Sequence, residues 1–73
     1  MFRLRDLKNG LYQIHKTKGP AFEGTPRSLF HQAIKMGIPE RQLTKAVTDL
    51  QNYNDDYADF DDSGVLKYTK KNG

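Results

Sequence analysis

Arg41, Gln42, Thr44, Lys45 and Thr48 interleave with Leu43, Val47 and Leu50. On a helix that buries the three apolar residues, the polar ones stand outward, with Gln42 at their edge. Guanidinium, ammonium, amide and hydroxyl groups donate to base edges and phosphate oxygens, so such a row has the chemistry to read a major groove. Arg27 and Lys35, with Arg3, Arg5, Lys16 and Lys18, add cations suited to phosphate contact. A second constellation is acidic and aromatic. Asp49, Asp55, Asp56, Asp59, Asp61 and Asp62 surround Tyr53, Tyr57 and Phe60, and charge with aromatic anchors suits a basic protein partner.

Catalytic chemistry has little to stand on. His15 and His31 fall on different elements, and their spacing pairs neither with an acid or a nucleophile. Ser28 and Ser63 sit where a helix start and a turn use serine locally. Without cysteine, two histidines make a poor metal set. The run Asp59-Phe60-Asp61-Asp62-Ser63-Gly64 matches the opening of a calcium loop, with Leu66 at the apolar eighth place. The twelfth place is Lys70, where a bidentate glutamate is required, so an ordinary aspartate-rich turn is expected. No catalytic residue, metal or cofactor is expected, and the chain reads as a binding protein.

The 73 residues carry a net charge of +3, and its distribution says more than its sum. Residues 1–48 hold nine Lys/Arg against three acids, residues 49–63 hold six Asp and no base, and residues 64–73 hold three Lys. A basic body followed by an acidic segment suits an anionic partner on one surface and a cationic partner on another. Sixteen residues are Leu, Ile, Val or Phe, enough for one small domain with a thin core. No apolar run approaches the ~20 residues that span a bilayer. The opening Met1–Asp6 lacks the apolar segment of a secretory signal. A cytoplasmic protein is expected, or one in a host's cytoplasm were it phage-encoded.

The elements that would position these groups follow from local signals. Asn9-Gly10 favours a two-residue hairpin turn in residues 1–17, pairing Leu7 with Tyr12 and Arg5 with Ile14. Leu4, Leu7, Leu11 and Ile14 also fit a helical stripe, but a helix would carry Asn9 and Gly10 in its interior. Residues 18–24, with two glycines and a proline, read as a loop whose Phe22 tucks into the core. Thr25-Pro26 starts a helix with a capping hydroxyl and a proline in the first turn. Leu29, Phe30, Ala33 and Ile34 form its expected buried stripe, and Gly37 ends it. Pro39 starts a second helix, with Glu40 near its positive end. Leu43, Ala46, Val47 and Leu50 mark that helix's buried face, and the pair spans residues 25–53. A second hairpin is expected over 57–69, turning at Asp61–Gly64 and pairing Tyr57 with Tyr68 and Phe60 with Val65. Residues 70–73 form a tail. The fold class is α+β: one small domain, two hairpins sharing one antiparallel sheet and a two-helix corner.

From Ala33 to Leu43 the chain resembles the helix-turn-helix motif of DNA-binding regulators. Ala33, Gly37, Ile38 and Leu43 match the small residue of the first helix, the turn glycine, the apolar residue after it and the apolar anchor of the second helix. Met36 fits the apolar place before the glycine. Gln32 and Ala46 depart from the family's habit of larger apolar residues. The resemblance covers about 20 of the 73 residues and implies that Arg41, Gln42, Thr44, Lys45 and Thr48 contact DNA, with Arg27 and Lys35 on phosphates. A lone reading helix further implies a homodimer for a specific site. The alternative is a protein-interaction module docking through Tyr53, Asp56, Tyr57, Asp59, Phe60, Asp61 and Asp62. In size and look it is similar to small phage inhibitors and adaptors.

Overall fold

The computed structural model describes residues 1–70. Five strands, β1 (Phe2–Asp6), β2 (Tyr12–Lys16), β3 (Ala21–Gly24), β4 (Tyr57–Phe60) and β5 (Leu66–Lys70), form one antiparallel sheet in the order β3-β2-β1-β4-β5. Two helices, α1 (Pro26–Met36) and α2 (Glu40–Tyr53), connect edge strand β3 to β4. Both cover the same face, α1 over β2 and β3 and α2 over β4 and β5. The fold is α+β, as the sequence implies, with a two-helix corner between two hairpins.

Strand alternation builds the core. Phe2, Leu4, Tyr12, Ile14, Ala58 and Phe60 point toward the helices and meet Leu29, Ala33, Ile38, Leu43, Ala46 and Leu50. The Tyr12 hydroxyl accepts from Gln51 Nε2 at 3.1 Å, which ties β2 to α2. Thr25 caps α1 by accepting from the Ser28 amide at 3.3 Å, and Gly37 ends the helix at φ 108°. Helix α2 has no basic residue in its last turn, and Lys8 reaches across from the first hairpin. Its ammonium donates to Asn54 Oδ1 at 2.9 Å and to the Asp55 carbonyl at 2.8 Å, a cation at the negative end of the helix.

Four expectations need correction. The first hairpin pairs Leu4 with Ile14 and Asp6 with Tyr12, one residue away from the Leu7–Tyr12 register. Its loop runs Leu7–Leu11, closed by Leu7 N–H to the Leu11 carbonyl and held by the Asp6 and Asn9 side chains, with Lys8 and Gly10 at positive φ. The observed register puts apolar residues on one face, whereas the expected one set Arg5 opposite Ile14. Residues 21–24 are not loop. They form β3, pairing Phe22 with Ile14 and Gly24 with Tyr12. In the second hairpin Phe60 pairs with Leu66 and Asp59 with Tyr68, and a bulge between Asp59 and Phe60 replaces the Tyr57–Tyr68 register. Lys70 belongs to β5, and the remaining tail, 71–73, lies outside the described residues.

The second hairpin is seated on the helix corner by a backbone approach that only glycine allows. Gly64 lies at φ 83°, and a Cβ there would sit 2.4 Å from the Gly37 carbonyl oxygen and 2.8 Å from Pro39 Cδ. Gln42 Oε1 then accepts from the Leu66 amide at 2.9 Å, joining α2 to the start of β5. Gly64→Ala is therefore expected to destabilise the fold by about 2–4 kcal/mol, from a left-handed backbone and a steric clash together. Urea denaturation would measure it, with a midpoint unchanged from the parent contradicting this account.

Candidate functional site: the outward face of the helix pair

Helix α2 buries Leu43, Ala46 and Leu50, with Val47 half-buried beside them. This orients Arg41, Thr44, Lys45 and Thr48 to solvent on the opposite side, and all four are exposed. Arg27 and Lys35 are exposed on α1, so the outer helical surface carries four cations against Glu40 and the half-buried Asp49. None of these four cations forms an ion pair among the described residues. Gln42 stands apart from the row. Its side-chain oxygen is engaged by Leu66, so it faces the second hairpin.

Helix α1 presents more than was expected of it. Leu29 and Ala33 are buried and Phe30 is half-buried against the core, but Ile34 is 50% exposed, which corrects the place of Ile34 in the core stripe. Phe30 and Ile34 line a shallow trough of about 430 Å³ with Pro26, Arg27, His31 and Glu40. Sequence reasoning missed this feature. The available signal was the spacing of Arg27, Phe30, His31 and Ile34 at i, i+3, i+4 and i+7, a second stripe on a helix already supplied with one.

Several members of the acidic constellation are engaged within the fold. Asp59 is buried and binds Arg3 through two hydrogen bonds, Nε to Oδ1 at 2.7 Å and Nη2 to Oδ2 at 3.1 Å. Arg3 also lies 4.0 Å above the centre of the Tyr57 ring, a cation–π contact. Phe60 is fully buried. Asp61 closes its own turn by accepting from the Ser63 and Val65 amides, each at 2.9 Å. Asp62 pairs with the amino-terminal ammonium, and that hydrogen bond holds its carboxyl below the usual range. Tyr53 is 61% exposed, and Asp56 is half-buried beside Arg5, Asp6 and Tyr57 around a concavity of about 300 Å³. The seven residues named for protein docking therefore do not share one outward surface.

The phosphate-contact cations divide as well. Arg3 is held by Asp59 and Tyr57, and Lys16 lies 5.5 Å over the Phe2 ring. Arg5 and Lys18 are exposed, but on the uncovered face of the sheet and in the β2–β3 turn, away from α2. Asp55 is different again. It is fully buried, and neither carboxylate oxygen accepts a hydrogen bond among the described residues.

Two outcomes follow from these carboxylates. Arg3→Met leaves Asp59 charged and buried without its bidentate partner, with an expected loss of about 2–4 kcal/mol in chemical denaturation; an unchanged midpoint would show that the pair contributes nothing. Asp55→Asn replaces a buried carboxyl group that accepts no hydrogen bond among the described residues with a neutral amide, and stability is expected to rise by about 1 kcal/mol. A fall in its unfolding midpoint would mean that the carboxylate does have a partner in solution.

Among the described residues no helix is long and apolar enough to cross a membrane, and no group of three or more metal-ligating side chains comes together. In comparison with known proteins, the chain matches no family model, no curated sequence and no solved structure.

Proposed function

We propose that this chain is a non-catalytic nucleic-acid-binding protein that contacts its target through the outward face of α2. The observation that carries the reading is the exposed row Arg41, Thr44, Lys45 and Thr48, whose two cations have no ion pair among the described residues. An unpaired Arg or Lys can approach phosphate without first giving up a carboxylate. The hydroxyls of Thr44 and Thr48 donate and accept at base edges.

The resemblance to a helix-turn-helix gains support from the state of the matching residues. Ala33, Ile38 and Leu43 are buried, and Gly37 adopts the left-handed conformation a tight helix-to-helix turn needs. Lys35 lies exposed on α1, the neighbouring element, where it can meet the phosphates flanking a groove. Gln42 has a structural bond of its own and is left out of the proposed contacts. The alternative, protein docking through the acidic hairpin, has less to offer because Asp59, Phe60 and Asp61 serve the fold itself.

The test is fluorescence anisotropy with a labelled mixed-sequence duplex DNA in about 50 mM salt, where non-specific contacts are strong. The parent chain is expected to bind. The double variant Arg41→Ala with Lys45→Ala is expected to bind at least about tenfold more weakly, with a salt slope shallower by about 2. No binding by the parent, or equal binding by the double variant, would overturn the proposal.

A further inference from the structure

The outward stripe of α1 has an order of charge that suits a copy of itself. Arg27 lies in the first turn of the helix, Phe30 and Ile34 occupy the middle and end, and Glu40 follows just past the Gly37 turn. The lining of the trough therefore carries a cation at the start of α1, apolar side chains along its length and one carboxylate at the start of α2, with Lys35 and Arg41 exposed next to Ile34 and Glu40 in the chain. Ile34 is half exposed and Phe30 half-buried, so apolar area remains uncovered in the single chain. Neither Arg27 nor Glu40 has an ion pair among the described residues.

We infer that this stripe is the contact surface of a twofold homodimer in which two α1 helices pack antiparallel. A twofold axis through the middle of the stripe, near His31, stacks Phe30 and Ile34 of one copy on Ile34 and Phe30 of the other. The same operation brings each Arg27 beside the second copy's Glu40, so two ion pairs flank an apolar centre. That is the self-complementarity an isologous interface requires. A parallel arrangement would set Arg27 against Arg27 and Glu40 against Glu40. A uniformly acidic partner would meet Glu40, and a uniformly basic one would meet Arg27, so a second copy satisfies both ends. With only two apolar side chains contributed by each copy, the interface is small and the dimer weak. This inference does not depend on the nucleic-acid reading, and its test contains no nucleic acid.

Sedimentation equilibrium over a wide range of protein concentration, with circular dichroism to verify folding, decides the matter. The parent chain is expected to show a concentration-dependent monomer–dimer equilibrium. Ile34→Asp and Arg27→Glu, both at exposed positions, are expected to keep the helical signal and weaken association at least about tenfold. The exchanged pair Arg27→Glu with Glu40→Arg is expected to restore it to within about threefold, because each ion pair re-forms with its sign reversed. A parent that stays monomeric to millimolar concentration would overturn the inference. So would association that Ile34→Asp leaves intact, or an exchanged pair that dimerises no better than Arg27→Glu alone.

Discussion

Gly64 meets the Gly37 carbonyl and the Pro39 ring so closely that no side chain fits between them, and the placement of the helix pair depends on that approach. The glycine sits in the turn of the second hairpin, and the atoms it touches form the bend between α1 and α2. With the contact made, Leu66 can donate to Gln42, and the first residues of β5 are fixed against α2. Phe60, opposite Leu66, then falls under the helices as a fully buried ring. The bulge between Asp59 and Phe60 belongs to the same constraint, since it lets the hairpin bend toward the corner while Asp59 stays on the far face of the sheet.

That far face shows how charge is partitioned in this protein. Arg3 and Asp59 are direct cross-strand neighbours on β1 and β4, and their bidentate bond is supported by the ring of Tyr57. Lys8 holds the end of α2, and Asp61 holds its own turn. Part of the acidic segment thus acts within the fold, through Asp59 and Asp61. The cations of the helical layer lack such internal partners among the described residues. A chain of modest net charge can in this way present a locally basic surface, because part of its negative charge is engaged elsewhere.

The parts of this arrangement legible in the chain are those decided within a few residues. Thr25-Pro26, Gly37 and Pro39 act through their own φ angles and nearest amides, so both ends of α1 and the start of α2 could be read directly. The strand registers could not. Asn9-Gly10 suggests a two-residue turn, but the Asp6 and Asn9 side chains organise a longer loop, and the register follows the sheet face that must be buried. Strand β3 has the Gly/Pro surroundings of a loop and becomes a strand only because the edge of β2 lies beside it. Ile34 looks like a core residue by type and periodicity. Leu29 and Ala33 face the sheet from α1, and that leaves Ile34 on the outside.

What the sequence determined by itself was the α+β class, the helix corner and the outward row of Arg41, Thr44, Lys45 and Thr48, since helical periodicity assigns a face without reference to the rest of the chain. The tertiary structure alone decided which charges are available at the surface. Asp59 and Asp62 are identical in type and close in sequence, yet one is buried under Arg3, 56 residues away, and the other is exposed. Desolvation and pairing depend on what the fold brings within a few ångströms, and that proximity is fixed by strand order rather than by residue type.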